Sequence, residues 1–516
     1  MKNPPPARTA DPPVEQQPNP FGITALQRGS ADKGSEFPSR HQDAPAWDEV
    51  CSLRAIDMAR LIRQRKLSSR ELMEAHLRQL KRVNSKVNAI VTLVPEDQLQ
   101  SQAQAADAVT MSGEPLGPLH GLPIAVKDNH QTRGIRTTFG STLHQDFVPG
   151  SNCMVVERER SAGAIVIGKT NLPEFGLGSQ TFNALFGATL NPYDATKTCG
   201  GSSGGAAVAL ACRMVPLADG NDMGGSLRNP ANFCNVVGLR PSPGRVPNGP
   251  VQLGWFTQNV SGPMARNVAD CAFFLSVLAG FDRRSPISID QPSHQFAQPL
   301  GERDFKGVRV AVMKDLNLPW EPAIKKAFAD QHRVFEALGC IVEETEPDLT
   351  DANECFLAWR HWLLEFQFGE ILNENPSQLN PYVRWHVEEG RKLTGSYLSR
   401  IEAKRTALYQ RMREFMDRYE FFIMPVNQVL PFDVKMPYPS EIDGVKMENY
   451  LAWMKSTYYI STLGNPAISV PCAFSEYDLP IGIQIVGRHN DDWGVLQLAY
   501  AFEQVTDAEK KLPALI

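Results

Sequence analysis

Residues 200–226, GGSSGGAAVALACRMVPLADGNDMGGS, constrain the fold more than any other part of this chain. Their middle, GGAAVALAC (204–212), contains only small or apolar residues, which is typical of a helix packed tightly against a sheet. Apolar runs of strand length lie on both sides of it, GAIVIGKTN (163–171) before and MVPLADG (214–220) after. Strands alternating with helices predict an α/β fold, with a central mixed, mostly parallel twisted sheet flanked by helices on both faces.

The same alternation continues along the chain. A capping box from Ser68 to Glu71 precedes leucines at helical spacing, and GPLHGLPIAVKDN (117–129) predicts a turn, a short buried strand and a polar turn. Residues 351–420 have a strongly helical pattern and are rich in aromatics. Further strand-like runs are VRVAVM (308–313), FFIMPV (421–426), AISVPC (467–472) and IGIQIVG (481–487). We therefore predict one large domain over residues 47–516 that carries a helical insertion.

The first 46 residues have a different composition. Nine of the first fifty residues are proline, and MKNPPPARTADPPVEQQPNP cannot bury enough apolar surface to fold on its own. We predict a disordered, proline-rich tail over residues 1–46. Residues 34–37, GSEF, look like a cloning-site remnant, so part of the tail could be vector-derived.

Composition argues against several classes of protein. The 516-residue chain has a net charge of −5 and a pI near 6.1, without the basic surface that binding to nucleic acid requires. No apolar run approaches the roughly 18 residues of a membrane span, and the N-terminus lacks a signal-peptide pattern. The nine cysteines form no C-x-x-C pair and their number is odd. We therefore expect reduced, mostly buried thiols and a cytoplasmic protein that binds neither nucleic acid nor membranes.

One motif matches a nucleotide-binding pattern, but the residues in and around it do not fit a nucleotide site. GAIVIGKT (163–170) matches the phosphate-loop pattern G-x-x-x-x-G-K-[ST]. In a phosphate loop the variable residues expose backbone N–H groups after a strand, and a helix starts at the lysine. Here the variable residues 164–167 are all apolar and themselves predict a buried strand, and Pro173 interrupts the helix that should follow. We therefore do not predict a nucleotide site.

A second motif suggests a serine nucleophile. GGSSGG matches G-x-S-x-G twice, with Ser202 or Ser203 at the centre, but the preceding NPYDATKTC does not predict the strand that an α/β-hydrolase has there. No histidine lies between His144 and His294, so a histidine base would have to come from a distant part of the chain, and this alternative stays open. H-E-x-x-H, H-x-H and C-x-x-C are all absent from the sequence, and we expect no metal or cofactor.

A lysine can activate a serine without histidine if it is neutral, and burial disfavours its charged form. Lys127 ends the apolar run LPIAVK and alternates onto the same face as Ala125, so it could point into a packed interior. A lysine at a strand end is more often on the surface. The serine-rich stretch favours the buried alternative.

Four segments together resemble the amidase signature family. They are GLPIAVKDN (121–129), GGSSGGAAVALAC (200–212), DMGGSLRNPANFCNVVGLRPSPGRVP (222–247) and SGPMARNVADCA (261–272). The resemblance covers the chain from about residue 50 to its end. It implies a hydrolase that acts on a small linear carboxylic amide without metal or cofactor.

The resemblance also implies a catalytic triad of Lys127, Ser202 and Ser226. Ser226 would be the nucleophile that forms the acyl-enzyme. Ser202, which follows a cis peptide bond in this family, here Gly201–Ser202, would relay the proton to Lys127. The oxyanion donors would be the backbone N–H groups of Met223, Gly224 and Gly225.

Neighbouring residues would support this site. Asp222 and Arg228 flank the oxyanion loop and would brace it, and Ser203 would form hydrogen bonds within the site without joining the relay. Many family members have threonine where this chain has Asn221. That difference puts the local hydrogen bonding and the substrate preference in doubt, but not the chemistry.

Several functions are compatible with the resemblance. We favour aryl or alkyl amides as substrates, as for an aryl acylamidase, with carbamates or esters as further substrates. The glutaminase subunit of a tRNA-dependent amidotransferase is the alternative, and an inactive amidase-like adaptor is less favoured because the triad is intact. The oligomeric state is left open, a homodimer included. An aromatic-rich segment, 355–369, could wall an apolar pocket or only pack the core, with Trp359, Trp362, Phe366 and Phe368 as its aromatics.

Overall fold

Strands and helices alternate over most of the chain in the computed structural model, which describes residues 47–516. The predicted tail over residues 1–46 lies outside the described residues. The strands are β1 Ile90–Leu93, β2 Pro123–Lys127, β3 Ile165–Thr170, β4 Phe182–Asn183, β5 Gly187–Ala188, β6 Leu217–Asp222, β7 Val237–Arg240, β8 Val260–Ala265, β9 Arg309–Val312, β10 Ile341–Glu344, β11 Phe421–Pro425, β12 Glu441–Ile442, β13 Val445–Lys446, β14 Ala467–Phe474 and β15 Pro480–Gly487.

The helices cover the sheet and form the predicted insertion. They are α1 Trp47–Val50, α2 Ala55–Arg63, α3 Ser69–Val87, α4 Glu96–Ser112, α5 Met154–Ser161, α6 Gly204–Ala211, α7 Arg228–Phe233, α8 Val268–Leu278, α9 Pro322–Ala329, α10 His332–Ala337, α11 Ala352–Glu374, α12 Pro381–Gly390, α13 Gly395–Arg418, α14 Lys455–Leu463 and α15 Asp492–Gln504.

Eleven of the described strands form one mixed sheet in the order β1-β3-β2-β6-β8-β7-β14-β15-β11-β9-β10. The predicted α/β fold with a mixed sheet is confirmed, but the pairing is not mostly parallel as we expected. Six of the ten pairings between these described strands are antiparallel. Only β2 with β3 and β6, and β9 with β10 and β11, pair in parallel. The difference arises because β8 inserts between β6 and β7, and because a short turn joins β14 to β15 as a hairpin.

Helices lie on both faces of this sheet, as predicted. In β15, Gly482 faces Asn232 of α7, whereas Gly487, five residues further on, faces Val495 of α15. Because side chains alternate along a strand, α7 and α15 cover opposite faces. The small-residue helix α6 is buried at every position and packs on β2, β3, β6 and β8.

The predicted helical insertion is confirmed, because α11, α12 and α13 follow one another between β10 and β11. The helix α11 packs on α12, α13 and α14. The predicted capping box is present at the start of α3, where Ser68 Oγ accepts from Glu71 N and Glu71 Oε2 accepts from Ser68 N, both at 3.0 Å. Three of the four apolar residues of the phosphate-loop motif, Ile165, Val166 and Ile167, lie in β3, and this strand is buried throughout.

Membrane and disulfide features are also described for residues 47–516. In this range we find no helix of the length and apolar character that a membrane crossing requires. All nine cysteines lie in it; they are free, and eight of them are buried. The cytoplasmic location stays a prediction.

The end of β6 is held by a buried ion cluster around Asp222. The Asp222 carboxylate accepts from Arg228 Nη2 at 3.0 Å and from Arg240 Nη1 at 3.1 Å, and all three side chains are fully buried. Burial alone would raise the pKa of Asp222, but the two guanidinium groups outweigh it and hold the pKa well below 3.8. Arg228 also donates to Thr457 O and Ser461 Oγ, so the cluster joins β6 and β7 to α7 and α14.

We predict that Asp222→Asn destabilises the protein by about 3–5 kcal/mol, because it leaves two buried guanidinium groups without their anion. The shift is measured as a change in the urea unfolding midpoint. Glu157→Gln, which removes an exposed pair with Arg284, is the control and should cost less than about 1 kcal/mol. Equal unfolding midpoints for the two variants would contradict the role given to Asp222.

Candidate active site

Lys127 is the last residue of β2 and is fully buried, so the surface alternative is excluded. Its Nζ lies 2.8 Å from Ser202 Oγ, 2.8 Å from Ser203 Oγ and 2.7 Å from Asn221 Oδ1. Burial lowers the pKa of Lys127 from 10.5 to about 7, although the charges of Asp219 and Asp222 oppose the shift. At neutral pH a large fraction of Lys127 is therefore uncharged.

The hydroxyls of Ser202 and Ser203 are equally close to Lys127, but their other contacts distinguish them. A neutral amine has two N–H groups and one lone pair. Asn221 Oδ1 can only accept, and the Ser203 hydroxyl donates to Asn221 O at 3.4 Å and so accepts from Nζ. The lone pair of neutral Lys127 is therefore left to the hydroxyl of Ser202. This arrangement lets Ser202, rather than Ser203, pass a proton to the lysine.

The two glycine-serine clusters meet at one cavity. Ser202 lies in the loop before α6, after a Gly201–Ser202 peptide bond that is cis, and Ser203 N donates to Ser226 O at 3.2 Å. Both Ser202 and Ser226 line a cavity of about 520 Å³, in which Ser226 is half-buried. The nearest preceding strand ends at Ala188, so the serines do not lie on the strand-to-helix turn of an α/β-hydrolase.

The backbone N–H groups of the loop before Ser226 differ in whether they already have a hydrogen-bond partner. Gly225 N donates to Asp222 Oδ1 at 2.9 Å, so its N–H group already has a partner. Met223 and Gly224 line the cavity, whereas Gly225 does not. Within the described residues, no acceptor contacts the backbone N–H groups of Met223, Gly224 or Ser226. These three N–H groups are available to a ligand.

Position 225 requires glycine because of its backbone conformation and a close neighbouring side chain. The residue has φ +122°, and a Cβ there would lie 2.3 Å from Thr457 Oγ1. Thr457 Oγ1 in turn donates to Gly224 O at 2.7 Å. The loop is thus packed against α14 and braced from behind by Asp222 and Arg228, as expected from the sequence.

A histidine that sequence reasoning did not place lies in the same cavity. His130 Nδ1 is 2.7 Å from Asp219 Oδ2, and its Nε2 is 3.4 Å from Ser261 Oγ. Asp219 Oδ1 also accepts from Lys127 N at 2.6 Å. No hydrogen bond joins His130 to Ser202, Ser203 or Ser226 within the described residues, so the geometry favours the lysine over the histidine as the base. The position of His130, only three residues after Lys127, was the one feature of the sequence that could have placed it near the site.

The aromatic-rich segment walls the cavity, but mostly not with the expected residues. Of the four aromatics named from the sequence, Phe368 lines it, whereas Trp359 and Trp362 pack edge-to-face on each other and Phe366 is exposed. The residues of α11 that line the cavity recur at helical spacing and begin at Phe356, before the four aromatics named from the sequence. They are Phe356, Arg360, Leu363, Leu364, Gln367, Phe368 and Ile371. The spacing was visible in the sequence, but which face is turned to the cavity depends on tertiary packing.

Metal-ligating side chains do not cluster in the part of the chain that the structure describes. No group of three or more His, Cys, Asp or Glu side chains in residues 47–516 is placed to hold a metal ion. Lys169 of the phosphate-loop motif is buried in β3, where its Nζ donates to Thr132 Oγ1 at 2.7 Å. It is therefore not placed to hold a phosphate.

Comparisons with known proteins point to one family. Residues 71–496 match the family model described as Amidase. The chain is 35% identical over 468 residues to an acylamidase from Rhodococcus erythropolis, covering 90% of this chain and 97% of that protein. It is 34% identical over 481 residues to a glutamyl-tRNA(Gln) amidotransferase subunit of Alkaliphilus metalliredigens, covering 87% and 96%. A bacterial aryl acylamidase of the amidase signature family has the same fold, with a TM-score of 0.82 at 26% identity over 88% of this chain and 96% of that one.

We predict that Gly225→Ala destabilises the protein by about 2–5 kcal/mol, because the collision of the new methyl group with Thr457 (about 1–3 kcal/mol) adds to the cost of a positive φ for alanine (about 1–2 kcal/mol). Urea unfolding midpoints measure the loss. Gly444→Ala is a matched control, since Gly444 also has a positive φ of +79° but no atom within 4 Å of a Cβ; it should cost only the about 1–2 kcal/mol of an alanine in the left-handed region. If the two variants were equally stable, the close approach of Thr457 would not constrain the loop.

Proposed function

Since the chain belongs to the amidase signature family, we propose that it hydrolyses linear carboxylic amides through an acyl-enzyme on Ser226, with Ser202 and Lys127 as the proton relay. The observation that carries the proposal is the hydrogen bond between Ser202 Oγ and buried Lys127 Nζ, at an amine whose pKa is about 7. A base that is neutral near pH 7 can accept a proton at the working pH.

In the first half of the reaction, Ser226 Oγ forms a bond to the amide carbonyl carbon. Its proton passes to Ser202 Oγ, and the Ser202 proton passes to the lone pair of Lys127 Nζ. The negative charge that develops on the carbonyl oxygen is stabilised by backbone N–H groups of the loop, for which we propose Met223, Gly224 and Ser226. We do not retain Gly225 as a donor, because Asp222 holds its N–H group.

In the second half, the C–N bond breaks and the proton on Lys127 returns through Ser202 to the departing amine. Water then attacks the acyl-enzyme and gives a proton to the same relay. The acid product leaves, and the hydroxyl of Ser226 is restored. Besides the substrate and this water, every group named in these steps lies within residues 127–226.

For the substrate, we propose an aryl or alkyl amide, with esters or carbamates as weaker candidates. The cavity wall supports this proposal, because five phenylalanines line the cavity that Ser226 also lines. They are Phe139, Phe147, Phe175, Phe356 and Phe368. Such walls favour an apolar acyl or aryl group.

The glutaminase function of an amidotransferase subunit is the second candidate. It is supported by the 34% identity to the amidotransferase subunit of Alkaliphilus metalliredigens. The two functions differ in their requirements, because a glutaminase subunit releases ammonia from glutamine for a partner. Turnover of anilides by the purified chain alone favours the acylamidase function, and ammonia release from glutamine that depends on a co-purifying subunit favours the other.

We predict that the purified protein hydrolyses at least one simple anilide, primary amide, carbamate or ester, and that Ser226→Ala lowers kcat on the order of a millionfold. A fluorophosphonate probe should add its mass to the peptide that carries Ser226. Ser203→Ala is the matched control and should keep the adduct. An adduct on Ser203, or native turnover by the Ser226→Ala protein, would refute the assignment of the nucleophile.

We further predict that kcat/KM rises with pH through about 7 and levels off above it, because only neutral Lys127 accepts a proton. Lys127→Ala should lose most activity and flatten this limb. Lys127→Arg should do no better, since a guanidinium stays protonated. Near-native turnover by Lys127→Arg would make Lys127 a structural residue and shift attention to His130.

A further inference from the structure

Arg360 places a buried, positively charged guanidinium group in the wall of the cavity. It lies on α11, is only 5% exposed and lines the same cavity as Ser226. Its Nε donates to His386 Nε2 at 3.1 Å, and its Nη2 donates to the hydroxyl of Tyr450 at 3.0 Å. Its Nη1 lies 3.2 Å from Met223 Sδ, so the guanidinium group lies beside the loop that carries Ser226.

All three of these partners are neutral. Burial lowers the pKa of His386 well below 6.5, and the positive charge of Arg360 lowers it further, so this imidazole is an uncharged acceptor. No carboxylate forms an ion pair with Arg360 within the described residues, whereas the buried guanidinium groups of Arg228 and Arg245 each pair with an aspartate. A buried cation without an anion is costly in a folded protein.

The guanidinium group also has donors to spare. It has five N–H donors, and its three contacts use one each, so each terminal nitrogen keeps one N–H group. The contact with the thioether sulfur of Met223 is a weak one. Two parallel N–H groups on the terminal nitrogens of arginine match the two oxygens of a carboxylate.

The rest of the cavity carries no opposite charge. Among the described residues that line it, none is Asp, Glu or Lys. An ammonium group on a substrate would therefore find no anionic partner there and would be repelled by Arg360. A carboxylate would find Arg360, the one arginine among the described lining residues, without an anionic partner.

We propose that Arg360 is a recognition residue for a carboxylate on the amide substrate, so that the preferred substrates carry a carboxylate and no ammonium group. This inference rests on the proposed amide hydrolysis at Ser226 and narrows its substrate class. Free glutamine meets only part of this requirement, because its α-carboxylate matches Arg360 but its α-ammonium group finds no Asp or Glu among the described residues that line the cavity.

The test compares substrates that differ only in charge. On the acyl side, succinyl, glutaryl and adipyl 4-nitroanilides are each paired with an acyl chain that ends in an isopropyl group of the same shape. On the amine side, N-acyl-4-aminobenzoates are paired with N-acyl-4-aminoacetophenones. The readout is the ratio of kcat/KM within each pair, which does not depend on how much total activity a variant retains.

In the wild-type protein, we expect the best carboxylate in one of the two series to be preferred about tenfold or more, the size of a charge-assisted hydrogen bond. Arg360→Gln should abolish that preference. Arg360→Lys, which keeps the charge but not the two parallel N–H groups, should keep part of it. Arg405→Gln is the matched control, since Arg405 bonds to Thr462 O and Thr257 Oγ1 away from the cavity and should leave the ratio unchanged.

A second measurement separates this inference from the proposed function. Glutarate should slow the labelling of Ser226 by a fluorophosphonate more than neutral glutaramide does, and Arg360→Gln should remove the difference, whether or not any amide is hydrolysed. Unchanged ratios in Arg360→Gln, or the absence of a carboxylate preference in turnover and in labelling of the wild-type protein, would overturn the role of Arg360.

Discussion

The geometry of the site depends on the ion pairs and hydrogen bonds of the Asp222 carboxylate. Two buried guanidinium groups share it, and so do the backbone N–H groups of Gly225 and Leu227. It therefore fixes the path of the chain on both sides of the loop that ends at Ser226. Because it holds the N–H group of Gly225 behind the loop, the N–H groups of Met223, Gly224 and Ser226 are the ones left for the cavity.

The chemistry proposed for Lys127 depends on where the nearby carboxylates are directed. Asp219 is hydrogen-bonded to the backbone of Lys127 and to His130, and Asp222 is paired with arginines. The amine itself contacts only neutral oxygens. Burial can then outweigh the attraction of the two carboxylates and lower the pKa, which is the condition for a lysine to act as a base near neutral pH.

Much of the fold and part of the site could be predicted from the sequence, because both are encoded locally. The small-residue helix α6, the buried strand that ends at Lys127 and the helical insertion all follow from short patterns. The direction of strand pairing did not follow, since β8 enters the sheet between β6 and β7 only through tertiary packing. His130 was missed for the same reason, because its partner Asp219 is contributed by a neighbouring strand. Arg360 reaches the cavity through the packing of α11.

In the proposed mechanism, neutral Lys127, acting through Ser202, makes Ser226 the nucleophile. Rapid-quench mass spectrometry during a single turnover of an anilide tests it directly, because it detects the acyl group on the protein and gives its rate of formation at each pH. We expect an acyl adduct on Ser226 whose rate of formation rises with pH through about 7. An adduct on another residue, or a rate on Ser226 that does not change between pH 5.5 and pH 8.5, about 1.5 pH units on either side of that value, would contradict it.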